Sequence, residues 1–168
     1  MDDIFSKPSS SYGLKDFKLE RMVLSPHQWR SCSIPLDLAW HKVRFDQSSL
    51  GHVPDNARGV YTFIINPGIA NHPGCGYLMY VGKTEKQAFR HRFSQYCTEK
   101  AKGEKSRRPH ITEMLLKWDG FLWFYYAEIT DTTKIKQIED ALLAAYLPPS
   151  NHTFPCKIRR AVKKVFAH

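Results

Sequence analysis

Glu139 is an acidic residue at a position where the sequence predicts a buried apolar side chain. Residues 134–147 have helical periodicity, with an apolar arc formed by Ile135, Ile138, Leu142, Leu143 and Tyr146. Glu139 falls inside this arc and Asp140 falls outside it. A carboxylate on a buried face is costly unless it is paired or binds a cation. Two interpretations stay open. In the first, which the helix pattern favours when it is taken alone, Glu139 forms a salt bridge with an Arg at the rim of the core. In the second, Glu139 is an oxygen ligand for Mg²⁺.

Arg92 and Tyr96 lie one helical turn apart, at the edge of another predicted apolar helix face. Side chains at i and i+4 project in the same direction, so these two residues should be neighbours. One interpretation is a surface Arg that stacks on a half-buried Tyr. The other is an Arg that is held rigidly to bind a phosphate, a task that suits the planar guanidinium group.

Tyr61 and Tyr80 lie in predicted strands that are flanked by Gly59 and Gly82. Taken alone, they are ordinary strand aromatics. Lys83 follows at once, just before a predicted helix N-terminus, where backbone amides favour an anion. The combination indicates an anion site without specifying the anion.

The elements that carry these residues predict a small α/β (α+β) fold. Strands are predicted at 60–65, 77–81 and 121–129, and helices from a capping box at 84–87 to about 99, then at 111–118, 134–147 and 156–168. The first two strands should pair as a hairpin with a long loop, and the third should be central in a three-stranded sheet flanked by helices. The basic stretch 100–110 is predicted to be a flexible loop.

Length, charge and cysteine pattern narrow the class of protein. The chain has 168 residues, enough for one domain with an appendage, and a formal net charge of +9 with a pI of about 9.4. Such a charge suits a polyanionic partner, because Lys and Arg that neutralise phosphates release counterions. The four scattered cysteines indicate neither a zinc site nor a disulfide framework. We expect a cytoplasmic protein without a membrane span or a secretory signal.

Five short motifs resemble those of the GIY-YIG nuclease family. They are G-V-Y at 59–61, Y-V-G-K-T at 80–84, R-F-x-x-Y at 92–96, the helical Glu139, and L-P-P-x-N at 147–151. The resemblance covers residues 59–155 and is closest in detail to the nuclease domain of the bacterial excision-repair incision subunit. It implies a GIY-YIG-type domain over 56–168, including the basic C-terminal helix, preceded by an N-terminal extension over 1–55 without an assigned role.

The resemblance also implies an activity and a set of site residues. The chain would be an endonuclease that hydrolyses phosphodiester bonds in DNA, with Glu139 as the sole protein ligand of Mg²⁺ or Mn²⁺. Arg92 would hold the scissile phosphate, and a tyrosine would position or deprotonate the attacking water. Which tyrosine does so stays open. The full set of implied catalytic residues is Tyr61, Tyr80, Lys83, Arg92, Tyr96, Glu139 and Asn151.

Residues 1–50 have no counterpart in this resemblance, and two further features depart from the family's pattern. Tyr61 and Tyr80 are 19 positions apart, a longer spacing than is usual in the family, so residues 66–76 are either a flap that faces the substrate or a tolerated insertion. Tyr96 stands where many members have His. His72, His91 and His110 are therefore further candidates for the general base, although His91 neighbours Arg92 and should point elsewhere. The alternative functions are therefore a non-cleaving module that binds nucleic acid or a partner, and a structure-specific or RNA-directed nuclease.

Basic residues in two stretches, 100–110 and 157–164, are expected to contact the nucleic-acid backbone. They are Lys105, Arg107, Arg108, Lys157, Arg159, Arg160, Lys163 and Lys164. No helix-turn-helix or zinc-finger module is recognisable, so we expect low intrinsic sequence specificity, or specificity supplied by the N-terminal segment, a homodimer partner or a larger complex.

Overall fold

The computed structural model describes residues 17–32, 37–69, 72 and 74–166, which are built around one antiparallel sheet. The strands are β1 (Trp40–Arg44), β2 (Gly59–Ile65), β3 (Tyr77–Thr84) and β4 (Leu122–Glu128). The helices are α1 (Pro26–Ser31), α2 (Phe89–Lys102), α3 (Pro109–Lys117), α4 (Ile135–Tyr146) and α5 (Cys156–Phe166), with 3₁₀ turns at Gln47–His52, Gly103–Lys105 and Thr132–Lys134. Among the described helices, none combines the length and the apolar character that a bilayer crossing requires.

The sheet has four strands in the order β1-β4-β2-β3. The prediction of three strands was therefore wrong, whereas the long-looped β2–β3 hairpin and the central position of β4 are confirmed. The additional strand, β1, comes from within the predicted extension 1–55, of which residues 1–16 and 33–36 lie outside the described residues. Val43 is partly buried, and the other four residues of β1 are exposed. This strand therefore lacks the apolar periodicity by which strands are recognised.

A β-bulge in β3 places Met79 on the same side of the sheet as Tyr80. Phe63 pairs with Tyr80, but the next residue, Ile64, pairs with Leu78, so Met79 is the extra residue. Met79 and Tyr80 therefore both face the same side of the sheet, where they pack with Phe63. With regular alternation continued from Tyr80, Met79 would have pointed to the opposite side.

Each face of the sheet carries its own hydrophobic core. The face that we call the α2 face combines sheet residues with side chains of α2 and α3, namely Tyr61, Phe63, Met79 and Phe124 with Phe89, Phe93, Tyr96, Ile111 and Leu115. The other, the α4 face, combines Val60, Val81 and Ala127 with Ile135, Ile138, Leu142, Ile158 and Val162 of α4 and α5. Site residues can therefore approach β3 from both of its sides.

Helix α2 begins later than the capping-box pattern predicts. Thr84 is still in β3, paired with Gly59, and its hydroxyl donates to the carbonyl of Gln87. The first amides of α2 are satisfied by a preceding loop instead: Phe89 N donates to Ala57 O and Arg90 N to Pro54 O, each at 3.0 Å. Tertiary contacts thus supply the cap that the local sequence was expected to provide.

The basic stretch 100–110 is more ordered than predicted. Helix α2 continues to Lys102, and α3 already begins at Pro109. Lys102 pairs with Glu99 at 2.8 Å, and the Ser106 hydroxyl donates to the same carboxylate. The predicted flexible loop is therefore a short, hydrogen-bonded connection that fixes where α3 starts.

Candidate active site

A cleft of about 470 Å³ opens beside the C-terminal half of β3. Its walls are formed by Tyr61, Tyr80, Gly82, Lys83, Thr84, Glu85, Lys86, Gln87, Arg92, Arg108 and Glu139. Five of the seven residues implied as catalytic are in this set. Of the other two, Tyr96 is buried directly behind the tyrosines, and Asn151 lies against the outer edge of β3.

Three tyrosines form one cluster at the base of the cleft. The hydroxyl oxygens of Tyr61 and Tyr96 are 2.8 Å apart, and the rings of Tyr80 and Tyr96 have centroids 6.2 Å apart. Tyr61 also stacks on Phe124. Burial raises the pKa of each tyrosine above its ordinary value of 10. All three phenols are therefore protonated near neutral pH.

Gly82 is required by the position of the Tyr61 ring. The two residues face each other across the β2–β3 ladder. A Cβ atom at Gly82 would lie 2.5 Å from both the Cζ and the hydroxyl oxygen of Tyr61. Any larger residue would push this ring out of the tyrosine cluster, so the glycine of the second triplet has a steric role.

Glu139 projects from α4 into the cleft, as its place in the apolar arc predicts. Its side chain is 15% exposed, and burial raises its pKa above the ordinary value, although Lys83 and Lys136 lower it. The Nζ atoms of these lysines lie 3.9 Å and 4.0 Å from the carboxylate, too far for a strong hydrogen bond. Asp140 pairs with Lys136 outside the arc. The expected pairing of Glu139 with an Arg is therefore replaced by two loosely placed lysines.

Arg92 presents a guanidinium group to the cleft without an acidic partner. Its Nη1 donates to Gln95 Oε1 at 3.0 Å, and no carboxylate in the described part of the chain lies within ion-pair distance of it. If the Gln87 amide is turned so that its oxygen faces Arg92, that oxygen lies 3.1 Å from Nε and 3.2 Å from Nη2. Neutral amides thus hold Arg92 in place while its full charge stays available to an anion.

Arg108 is a cleft residue that the sequence analysis assigned only to the basic surface. Its guanidinium carbon lies 5.4 Å from the centroid of the Tyr96 ring, a cation–π contact. Lys105 and Arg107, its partners in that prediction, are exposed. The sequence carries little signal for this difference beyond the place of Arg108 directly before Pro109, which begins α3.

Asn151 binds β3 as a neighbouring strand would. Its Oδ1 accepts from Val81 N at 2.9 Å, and its Nδ2 donates to Val81 O at 2.8 Å. The Ser150 amide donates to Met79 O at 3.0 Å. The segment after α4 therefore closes the outer edge of β3, the strand that carries Tyr80 and Lys83.

The family model for the GIY-YIG catalytic domain matches residues 61–152, more than half of the chain. The chain belongs to the GIY-YIG family. No curated protein and no solved structure matches it significantly. The superfamily part of the resemblance is thus confirmed, and the closer likeness to the excision-repair subunit stays a prediction. A GIY-YIG domain is a nuclease domain, so the chain is a hydrolase of the endonuclease type.

The GIY-YIG match includes all seven implied catalytic positions and ends before the basic C-terminal helix. In α5, Ile158 and Val162 are buried, and all five basic residues are exposed: Lys157, Arg159, Arg160, Lys163 and Lys164. The predicted amphipathic basic helix is therefore present. Of the segment 66–76, for which a flap or a tolerated insertion was expected, residues 70, 71 and 73 lie outside the described residues.

Proposed function

We propose that this GIY-YIG protein is a divalent-metal-dependent endonuclease that hydrolyses phosphodiester bonds in DNA. The observation that carries the proposal is the placement of Glu139, a mostly buried carboxylate, in the same cleft as Arg92 and Arg108. A carboxylate and guanidinium groups around one cavity provide an oxygen ligand for a cation and charged donors for a phosphate.

Glu139 has the properties expected of a metal ligand. Burial makes its negative charge costly, and its lysine partners at 3.9 Å and 4.0 Å compensate that cost incompletely. Mg²⁺ and Mn²⁺ prefer oxygen ligands, and Mg²⁺ often takes one or two carboxylates and keeps several waters. Glu139 would be the protein ligand of such an ion. When bound, the ion would supply Lewis-acid stabilisation of the charge on the phosphate and the leaving oxygen.

Arg92 and Arg108 would bind the scissile phosphate. A guanidinium group has several donors in a fixed plane, and it stabilises the charge that develops on phosphate oxygens during hydrolysis. Arg92 is held by Gln95, and Arg108 is held against the Tyr96 ring, so both are oriented before substrate arrives. Lys83, which lies 2.6 Å from Glu85 and 3.9 Å from Glu139, would add its positive charge to the cleft beside the Glu139 carboxylate.

The tyrosines would position the attacking water, and we do not assign them its deprotonation. Burial raises their pKa values, which disfavours a phenolate near neutral pH. The Tyr61 hydroxyl already shares a hydrogen bond with Tyr96. Tyr80, the most exposed of the three, would therefore contact the water, and the Tyr61–Tyr96 pair would hold the Tyr80 ring in place.

Cleavage of plasmid DNA tests the proposal. We expect wild type to nick the plasmid with Mg²⁺ or Mn²⁺ and to lose activity in EDTA. Glu139→Ala and Arg92→Ala should each reduce the rate by about 100-fold or more, as expected when a transition-state contact is removed. Asp140→Ala is the matched control, because it removes the adjacent carboxylate of α4, which also contacts Lys136.

Each outcome decides between the candidate functions. Asp140→Ala should cut like wild type, and equal cutting by all four proteins would refute the assigned site. If wild type binds nucleic acid but cuts no DNA or RNA, the non-cleaving module is the correct interpretation. If it cuts RNA and spares DNA, the RNA-directed alternative is correct.

The basic face of α5 would follow the DNA backbone. Its five exposed cations suit phosphate contacts, each of which adds about 0.9 to the slope of log affinity against log salt. Replacing Lys157, Arg160, Lys163 and Lys164 with Gln should flatten this slope. An unchanged slope would show that α5 does not contact the DNA backbone. Arg159 is left out because its Nε donates to Phe154 O and helps to hold the start of the helix.

A further inference from the structure

The strands β1 and β4 carry a row of aromatic and basic side chains that the catalytic proposal does not use. Lys42 pairs with Tyr125 and Arg44 with Trp123 across the ladder, and Trp40 lies two residues before Lys42. Because alternate residues of a strand share a face, these five side chains project from one side of the sheet. We call the set Trp40, Lys42, Arg44, Trp123 and Tyr125 the aromatic–basic face.

The aromatic–basic face belongs to the half of the α4 face that the helices described above leave open. Helix α4 packs over β2 and β3, whereas β1 has its main contacts with β4 and the Gln47–His52 turn. Trp40 is 38% exposed, Lys42 and Arg44 are exposed, and the rings of Trp123 and Tyr125 are partly exposed. Large aromatic side chains are thus accessible beside two cations.

The arrangement of the face has two parallel rows. The aromatic rings of Trp123 and Tyr125 stand on β4, and the cations of Lys42 and Arg44 stand beside them on β1. Lys42 Nζ lies 5.2 Å from the Trp123 ring centroid and 5.9 Å from that of Tyr125. The Arg44 guanidinium is anchored by a hydrogen bond of 2.7 Å to Gly120 O. No carboxylate is among the five side chains.

We propose that the aromatic–basic face binds single-stranded nucleic acid. Unpaired bases stack on aromatic rings, and a neighbouring row of cations follows the backbone phosphates. Residues two apart on a strand are separated by about 6.8 Å, roughly twice the 3.4 Å spacing of bases in one strand of a duplex. A stretched strand can therefore place successive bases on Trp123 and Tyr125. A duplex cannot do so, because its base faces are already stacked on one another.

This inference rests on the proposed function only in taking nucleic acid as the polymer that the protein binds. The aromatic–basic face itself lies apart from the cleft. The cleft opens at β3, at the opposite end of the strand order from β1. Binding at the aromatic–basic face can therefore be measured without cleavage, in EDTA.

Binding of a short, labelled oligothymidylate to the full chain in EDTA tests the proposal. Trp123→Leu and Tyr125→Leu should each weaken binding by about 5-fold to about 100-fold, the range expected for loss of one stacked base. Trp123→Tyr should restore most of the affinity, because it keeps a ring. The matched control is Tyr146→Leu, an exposed tyrosine at the end of α4. Thermal unfolding of each variant shows whether it is folded.

A charge-matched pair completes the experiment. Lys42→Ala should weaken binding and reduce the salt slope by about 0.7, the value for one contact with a single strand, whereas Lys134→Ala removes an exposed lysine elsewhere and should not. Equal affinity of the Trp123, Tyr125 and Lys42 variants and wild type would refute the proposal, as would an equal loss for duplex DNA. If wild type cuts no DNA but the substitutions weaken binding of the oligothymidylate, the catalytic proposal fails and the single-strand proposal stands. If wild type cuts DNA but the substitutions leave this binding unchanged, the catalytic proposal stands and the single-strand proposal fails.

Discussion

The Tyr61 ring occupies the space in which a side chain at Gly82 would lie. The two residues are partners in the β2–β3 ladder, and the ring continues from there into contact with Tyr96. The glycine of one family triplet and the tyrosine of the other are thus parts of a single packing arrangement.

Gly82→Ala should destabilise the protein by about 1–3 kcal/mol, the usual cost of overpacking a filled site. The added Cβ would lie 2.5 Å from the Tyr61 ring and hydroxyl. Urea unfolding measures the loss. Gly51→Ala is the control, because nothing lies within 4 Å of its added Cβ. In a Tyr61→Ala background the substitution should cost much less, and an equal cost in both backgrounds would contradict the steric explanation.

Tyr96→Phe should cost about 1–3 kcal/mol, because it leaves the buried Tyr61 hydroxyl without its partner. The variant Tyr61→Phe/Tyr96→Phe removes both hydroxyl groups and should recover much of this loss. A double-mutant cycle from denaturant unfolding gives the coupling between the two hydroxyls. Additive losses would mean that the contact of 2.8 Å contributes no coupling.

Arg108→Ala should reduce DNA cleavage by about 100-fold, in the range for removal of a charged transition-state donor. Arg108→Lys should restore little, since lysine lacks the planar group that stacks on Tyr96. Initial rates of plasmid nicking measure the effect. Arg107→Ala removes the adjacent, exposed cation and should change the rate only slightly. Similar losses of nicking rate in both variants would mean that Arg108 acts only as one of several basic surface residues.

His110 should make the protein less stable as pH falls. Its ring stacks on His152 with centroids 4.0 Å apart, and burial, with smaller effects of His152 and Arg108, lowers its pKa below the ordinary value of 6.5. Because the unfolded chain then binds the proton more readily, stability is fully present above pH 6.5 and is lost as pH falls below it.

Unfolding free energies at several pH values test this, with His110→Gln and the exposed His27→Gln as a matched pair. His110→Gln should flatten the dependence between pH 5 and pH 7, and His27→Gln should leave it unchanged. The same slope in all three proteins would show that other groups cause it.

The sequence was most informative where periodicity and chemistry disagreed. Glu139 could be singled out because a carboxylate interrupts the apolar arc of α4, and the structure places it in the cleft. The central strand β4 could be recognised from its long apolar run. Both signals are local, since they depend on residues within one element.

The features that sequence reasoning missed depend on contacts between distant segments. Strand β1 is exposed on most of its length and is defined by its pairing with β4. The bulge at Met79 brings that side chain into the core of the α2 face beside Tyr80, without any glycine or proline to indicate it. Arg108 differs from Arg107 only in lying against Tyr96. None of these has a local pattern.

The hydrogen bonds from Ser150 and Asn151 to the outer edge of β3 restrict how two copies of the chain could associate. The backbone groups of Met79 and Val81 that they occupy are unavailable to a strand from another molecule. A dimer formed by joining two sheets would therefore have its seam along β1. Its eight strands would carry the two clefts at opposite outer margins of the joined sheet.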